Sequence, residues 1–365
     1  MSSGLSGDLL TPLWRASALP PLTLPQWALL ISQARQARLL ARLATTLQDR
    51  GELPAVPEAP RRYLEGALAT AERQRNQVRW EIDRLRVALA DIDGPIVLLK
   101  GGAYVAAALP PARGRLFGDI DFMVPQAQLP AVEGSLLAGG WTHQSLDPYD
   151  DRYYRRWMHE LPPFKHVWRH TWLDVHHTIT PPTSRHAVEA APLFAAAVPV
   201  PGLPRFAVLA PCDMVLHSAA HVMLDGELPH GLRDLLDLDD LLRHFGARDP
   251  GFWPALAERA AALKLDPLLM LALRQLEHIT GTVAPPSVAS SFVPLARPRP
   301  WARSLLARVL RPMHPSCDDP STRCARRLWY IRSHYLRMRP LQLAGHLGRK
   351  AATRLLTRVG LRRET

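Results

Sequence analysis

The sequence predicts an α/β fold in which a small sheet lies between two helical regions, and three observations support this prediction. The apolar run Ile96–Leu99 follows the helix breaker Gly94-Pro95 and is typical of a buried strand. Short segments of β-forming residues follow it, around residues 119–124 and within 141–179. Apolar residues at three- and four-residue steps, which indicate helices, occur on both sides of this central part.

The individual elements follow from the same spacing and from breaker residues. The N-terminal side contains two predicted helices, over residues 26–50 and 57–90, with a proline-containing segment between them. The centre contains helices over 103–109, after the glycine turn, and over 126–138, and two or three strands within 141–179, the last at 171–179. The C-terminal side contains helices at about 211–224, 231–245, 252–263 and 266–279.

These patterns divide the chain into four parts. They are an N-terminal helical region (1–93), an α/β core (94–200), a helical domain (201–293) and an arginine-rich helical tail (294–365). No internal repeat interrupts this order.

The positive charge of the chain is concentrated in the tail. The 365 residues carry a formal charge of +12, but residues 294–365 alone hold 17 basic and three acidic residues. The tail is expected to pack as a helix with a solvated cationic face; an acidic partner, a nucleic acid or a membrane surface are the alternatives. The remaining 293 residues are close to neutral, so the basic composition does not by itself predict nucleic-acid binding.

Composition also predicts where the protein resides. Three cysteines cannot form a paired disulfide framework, and the N-terminus lacks a basic segment followed by an apolar one. No apolar stretch approaches the roughly 20 residues of a transmembrane helix. We therefore expect a soluble, cytoplasmic protein.

Three carboxylates are the candidate metal ligands. Alternation along a strand places Asp119 and Asp121 on one face, and Asp174 shares a face with His176 in the later strand. Adjacent carboxylates repel each other unless a cation neutralises them, and Mg²⁺ prefers carboxylates together with phosphate oxygens. Three acids from two strands can hold two metal ions.

Two glycines precede these acids. Gly101-Gly102 directly follows the strand Ile96–Leu99, with 16 residues before Asp119. Glycines at such a strand end let backbone N–H groups approach a phosphate. Lys100, one of only four lysines, and Arg115, four residues before Asp119, are the candidate phosphate-neutralising cations.

These segments resemble a known family. Leu98–Gly102, Arg115–Val124 and Leu173–His176 are similar to the motifs of the DNA polymerase β-type nucleotidyltransferase superfamily, and in particular to its uncharacterised bacterial nucleotidyltransferase family. The segments 213–221 and 232–238 resemble the helical half of that family. The resemblance departs from the superfamily in the longer spacing between the glycines and the acids, and in Val175, where leucine is usual.

The resemblance implies a nucleotidyltransferase core with a small mixed sheet, an N-terminal helical layer and a C-terminal helical domain. It implies that Gly101 and Gly102 contact the triphosphate and that Asp119 and Asp121 bind Mg²⁺ (or Mn²⁺). Asp174 would complete the acidic triad as metal ligand and base. The reaction would transfer a nucleoside monophosphate to an unidentified acceptor hydroxyl or phosphate. AMP from ATP is the expected group, and the acceptor would be a small molecule, a peptide or a nucleic acid.

Three histidines complete the predicted site. His176, His217 and His221 are the candidate lining of a substrate pocket. The four-residue spacing of His217 and His221 can also bind zinc, but Ser218 stands where a zinc protease has its glutamate.

Two other functions stay open. The first is a non-catalytic module that binds nucleotide or RNA on the same fold, and the second is a toxin-like nucleotidyltransferase that acts on tRNA or protein. The fold cannot distinguish them, because one fold serves many acceptors.

Overall fold

Seven short strands form one mixed sheet in the computed structural model, which describes residues 7–143, 158–286 and 300–338. Their order across the sheet is β3-β4-β5-β2-β1-β7-β6. β2 is antiparallel to β1 and parallel to β5, which confirms the predicted mixed sheet. The strands are β1 (Ile96–Leu99), β2 (Asp119–Met123), β3 (Trp141–His143), β4 (Phe164–His166), β5 (Trp172–His176), β6 (Val198–Pro199) and β7 (Phe206–Val208).

Twelve α-helices surround this sheet in the described part of the chain. The predicted C-terminal helices are all present, with bounds within three residues of those expected. The helices are α1 (Leu24–Gln36), α2 (Leu40–Asp49), α3 (Glu58–Ala88), α4 (Lys100–Ala106), α5 (Leu129–Ala138), α6 (Ala191–Ala196), α7 (Pro211–Leu224), α8 (Gly231–Arg248), α9 (Phe252–Ala262), α10 (Asp266–Ile279), α11 (Pro300–Val309) and α12 (Pro320–Arg337).

The predicted helix over residues 26–50 is wrong in one respect, because the chain forms two helices there. Arg38 has a left-handed backbone, with φ 54°, and Leu39 N–H donates to Ala34 O at 2.7 Å. This is the hydrogen bond of a Schellman helix end, which is usually marked by glycine. An arginine at that position gives no such signal in the sequence.

Helix α3 is the long support on which the central segments rest. Its buried residues Leu64, Ala71, Val78 and Leu85 recur every seven residues and form one apolar stripe. Polar side chains on α3 contact the segments that lead into two strands: Gln74 Oε1 accepts from Phe117 N–H before β2, and Glu81 accepts from Arg169 and Thr171 before β5. Thus α3 helps to fix where both acid-bearing strands begin.

A proline pair interrupts the edge that pairs with β5. Leu161 N–H donates to Val175 O at 2.8 Å, and Glu160 forms a bridge with His176. Pro162 and Pro163 lack N–H groups and cannot continue this ladder. The pairing resumes in β4, so one segment contacts β5 on both sides of the proline pair.

The C-terminal helices pack on the same hydrophobic core as the sheet, which extends in one cluster from Leu10 to Trp329. Trp329 on α12 is fully buried, and its Nε1–H donates to Asp225 O at 2.8 Å. The described part of the basic tail therefore packs on the core. Residues 294–299 and 339–365, which carry the rest of its charge, lie outside the described residues.

The predicted domain division stays a prediction. β7 pairs with β1 and belongs to the sheet, although its residues fall in the range assigned to the helical domain. Within the described residues, no helix is both long enough and apolar enough to cross a membrane.

Candidate functional site

The three predicted acids lie on one face of two neighbouring strands. Asp119 and Asp121 alternate with buried Ile120 and Phe122 on β2. β2 and β5 are parallel, and their register places Asp121 directly opposite Asp174. Alternation in the sequence predicts that Asp119 and Asp121 share a face of their strand, and that Asp174 and His176 share a face of theirs. Only the sheet pairing brings Asp174 to Asp121.

Asp121 is the buried centre of this group. Its side chain is 3% exposed, and its Oδ1 accepts hydrogen bonds from Lys100 Nζ at 2.8 Å and from His176 Nε2 at 3.1 Å. Burial acts to raise the pKa of Asp121, but the charge of Lys100 and the hydrogen bond from His176 outweigh it and hold this pKa well below its usual range. Asp121 is therefore a permanent anion.

The other two acids are less well compensated. Asp119 is exposed, and the negative charge of Asp121 raises its pKa. Burial raises the pKa of Asp174 well above its usual range, and the charges of Glu160 and Asp121 raise it further. We call Asp119, Asp121, Glu160 and Asp174, with Lys100, the acidic face. Among the described residues it holds four carboxylates and one lysine.

Glu160 was not predicted. It enters the acidic face through its bridge with His176, and its Oε2 lies 3.4 Å from His176 Nδ1. No local pattern marks it, because its position depends on how the segment before Pro162 pairs with β5.

The glycine turn has a packing role. Gly101 and Gly102 lie in the first turn of α4, not in an open loop, and both are buried. A Cβ on Gly101 would lie 3.0 Å from the Phe117 ring, and one on Gly102 would lie 3.5 Å from Ile120 Cγ2. The glycines thus allow α4 to pack closely against β2 and the segment before it. The first N–H groups of this helix have no intrahelical acceptor.

Lys100 stands at the junction of β1 and α4. Its backbone is left-handed, with φ 42°, a conformation that costs free energy for a residue with a side chain. This backbone joins the end of β1 directly to α4, and the ammonium group of Lys100 donates a hydrogen bond to Asp121. Lys100 is thus at the predicted site, in contact with a carboxylate.

Arg115 lies in a second group of buried charges. Its guanidinium pairs with Asp237 and lies 3.6 Å from Asp234, both on α8. Arg42 of α2 also binds Asp237, at 2.8 Å. We call this set the arginine–aspartate cluster; its members are Arg42, Arg115, Arg233, Asp234, Asp237 and Asp240.

The two histidines of α7 lie near the acidic face. His217 is buried, and His221 Nε2 lies 4.0 Å from Asp234 Oδ2. Burial, followed by the positive charge of Lys100, lowers the pKa of His217 well below its usual range and that of His221 to about 4. Both rings are therefore neutral at physiological pH, and their role in lining a substrate pocket stays a prediction.

A cationic cleft lies near the segment that leads into β2. Its volume is about 300 Å³, and its lining includes Arg35, Arg38 and Leu116. Arg38 Nη1 lies 3.1 Å from the point where a Cβ on Gly118 would stand, directly before Asp119. Neither arginine pairs with a carboxylate of the described chain. The sequence did not predict this cleft, because it depends on the bend at Arg38.

Comparison with known proteins gives one match. The model of a family described as "Uncharacterised nucleotidyltransferase" matches residues 24–281, from the start of α1 to just beyond α10. No curated protein and no solved structure matches the chain. The matched range includes the acidic face and the arginine–aspartate cluster, and it covers well over half of the chain. The chain therefore belongs to this nucleotidyltransferase family.

Proposed function

We propose that the protein transfers AMP from ATP to an acceptor hydroxyl or phosphate and releases pyrophosphate, and that the acidic face is its active site. The observation that carries this proposal is the register of β2 and β5, which sets Asp121 opposite Asp174 with Asp119 on the same face. Membership of a nucleotidyltransferase family supports the class of reaction.

The acidic face suits a hard divalent cation. Asp119, Asp121 and Asp174 offer only oxygen ligands, which Mg²⁺ and Mn²⁺ prefer. The raised pKa of Asp174 reflects burial beside other carboxylates, a penalty that a bound cation removes. In this proposal two Mg²⁺ ions would neutralise phosphate charge and lower the pKa of the attacking hydroxyl.

The chemical step requires a base and an in-line acceptor. The acceptor oxygen forms a bond to the α-phosphorus, and the bond between that phosphorus and the pyrophosphate oxygen breaks, with its electron pair leaving on pyrophosphate. Asp174 takes the proton of the acceptor hydroxyl. Its half-buried position beside Asp121 places this carboxylate next to the proposed metal ligands.

Cations and backbone N–H groups would hold the phosphates. Lys100 and the first turn of α4 at Gly101 and Gly102 lie at the end of β1, next to Asp121. Arg38 adds positive charge on the side of Asp119. The phosphate-binding role of Arg115 stays a prediction, since Asp237 and Asp234 hold its guanidinium.

Label transfer tests the reaction directly. The full chain is incubated with ATP labelled on its α-phosphate, Mg²⁺ and separate acceptors: RNA, sugar phosphates and the protein itself. We expect Asp121→Asn to lower the transfer rate at least 100-fold, because it removes a metal ligand at the centre of the site.

The matched control is Asp213→Asn. Asp213 is as buried as Asp121 and also has a cationic partner, Arg259 at 2.6 Å, but it lies outside the acidic face. Equal transfer by the wild type and Asp121→Asn would overturn the proposal. RNA as the labelled acceptor, with growth inhibition on expression, would identify the toxin-like alternative.

A binding measurement separates enzyme from binding module. We expect Mg²⁺ and ATP together to raise the thermal unfolding temperature, and Asp119→Asn to remove this effect. Asp49→Asn, an exposed aspartate paired with Arg113, is the control. Salt-sensitive RNA binding that Asp119→Asn leaves unchanged, without label transfer to any acceptor, would favour the non-catalytic module.

A further inference from the structure

Three ligand-type side chains meet at the edge of the acidic face, with Glu160 common to both groups. One nitrogen each of His159 and His176 and one oxygen of Glu160 all lie within 4.8 Å of one another. We call this set the His–Glu–His cluster. The proposed reaction uses none of its three side chains as a metal ligand.

His176 is oriented as a metal ligand. Its Nε2 donates to the carboxylate of Asp121, so Nδ1 is the ring nitrogen left to face another ligand. The residue is 1% exposed, yet Nδ1 finds no hydrogen-bond partner among the described residues. A carboxylate that holds one ring nitrogen while the other points to an ion is the usual arrangement around metal-binding histidines.

His159 shows the same lack of a partner. Its Nδ1 is buried and makes no hydrogen bond within the described structure, and its ring centre lies 5.1 Å from that of His176. Burial lowers the pKa of His159 well below its usual range, and His176 and Lys100 lower it further. The ring is therefore neutral, which is the form that binds metal.

The backbone holds the cluster in place. Glu160 pairs with His176 across the sheet edge, and His177 N–H donates to His159 O at 2.8 Å. Glu160 Oε2 already lies 3.4 Å from His176 Nδ1, and ligands of one tetrahedral zinc ion lie about 3.4 Å apart. One nitrogen of each histidine thus lies within 4.8 Å of a carboxylate oxygen on a paired segment.

We propose that His159, Glu160 and His176 bind a divalent transition-metal ion, Zn²⁺ or a close analogue, at a site separate from the all-carboxylate Mg²⁺ site. Two imidazoles and one carboxylate select such ions, because imidazole nitrogen binds them far better than it binds Mg²⁺. Three protein ligands leave a coordination position open to water or substrate.

Metal titration without nucleotide tests this site. The full-length protein is treated with a chelator, dialysed and titrated with Co²⁺ alone in 5-fold steps while the visible absorption of the cobalt ion is recorded, and Zn²⁺ is then used to displace it. We expect one tightly bound equivalent with nitrogen ligation, retained in the presence of about a thousandfold excess of Mg²⁺.

Variants locate the ion. Glu160→Gln and His159→Asn should each weaken Co²⁺ and Zn²⁺ binding at least tenfold. His177→Gln is the matched control, because this histidine directly follows β5 and lies outside the His–Glu–His cluster, with its Nε2 against Met158 O at 3.4 Å. His217→Gln tests the other histidine pair, and unfolding curves in chelator check that each variant is folded.

The outcomes separate this site from the proposed reaction. Binding that survives in both Glu160→Gln and His159→Asn, or that is lost only in Asp119→Asn, would place the ion elsewhere and overturn the inference. So would a wild type that holds no Zn²⁺ after gel filtration. Zinc binding without label transfer would overturn the proposed reaction and leave this site standing.

Discussion

Two groups of buried charge in this protein are built on opposite principles. In the arginine–aspartate cluster, three guanidinium groups meet three carboxylates, within the described residues. In the acidic face, four carboxylates meet one ammonium group. The first group is balanced and the second has a surplus of negative charge.

The difference fits a structural role for the arginine–aspartate cluster and the proposed catalytic role for the acidic face. A balanced buried cluster is satisfied by the chain itself, and removal of one member leaves uncompensated charge. A cluster with surplus negative charge is fully compensated only by a cation from solution, so Asp119 and Asp174, whose pKa values are raised, lower the stability of the metal-free protein. The arginine–aspartate cluster joins α2, the segment before β2 and α8. It thereby holds the segment that leads into Asp119, the first acid of the acidic face.

The largest effect on stability is expected in the arginine–aspartate cluster. Asp237→Asn leaves Arg115 and Arg42 without their shared partner, and should lower the free energy of unfolding by about 3 to 5 kcal/mol. Urea unfolding measures this loss. The exposed Asp49→Asn variant should change stability by less than about 0.5 kcal/mol. A loss below about 1 kcal/mol for Asp237→Asn would remove the distinction between the two groups.

In the acidic face we expect the opposite effect, an increase in the free energy of unfolding when a carboxylate is removed. Asp174→Asn removes a charge that its neighbours disfavour, and should raise the free energy of unfolding in chelator by about 1 to 2 kcal/mol. The same substitution should abolish label transfer. A variant that is less stable than the wild type in chelator would show that Asp174 is a structural ion-pair partner.

The smallest effect on stability tests whether charged Asp240, a member of the arginine–aspartate cluster, lowers the free energy of unfolding. Burial raises the pKa of Asp240 to about 6, although Arg42 lowers it. The folded state therefore binds this proton more tightly than the unfolded state, and the stabilisation is present below about pH 4 and lost as pH rises through 6. Because Asp240 is partly exposed, we expect about 1 kcal/mol after allowance for screening.

Unfolding of the wild type and Asp240→Asn, measured from pH 4 to pH 7, checks this effect. The variant should become more stable relative to the wild type over that interval. A difference that stays constant with pH would mean that Arg42 compensates Asp240 completely.

The sequence predicts those parts of the site that depend on local order. Strand alternation places Asp119 with Asp121, and the apolar run before Lys100 predicts β1. Strand alternation and then the family resemblance indicated Asp174, and the sheet pairing places it opposite Asp121. These features follow from short-range periodicity and from motifs within single strands.

The rest depends on contacts between distant residues. Arg42 and Asp237 are 195 residues apart, and no local pattern pairs them. The bend at Arg38 uses a left-handed arginine where a glycine would have signalled a helix end. Glu160 reaches the acidic face only because a proline pair splits the edge segment into two paired parts. Packing between distant segments fixes these positions. Composition and local spacing in the sequence therefore do not predict them.

The hydrogen bond from Lys100 to Asp121 has a consequence for the order in which ligands bind. Lys100 is an internal counter-ion, so a metal ion that binds Asp121 competes with it and binds less tightly than the carboxylates alone would allow. The displaced ammonium group then becomes available to a polyphosphate at the end of β1. In the proposed reaction, binding of metal and binding of triphosphate would therefore be coupled, and by reciprocity each would raise the affinity for the other. The exchange of one cation for another turns two separate binding events into a single cooperative one.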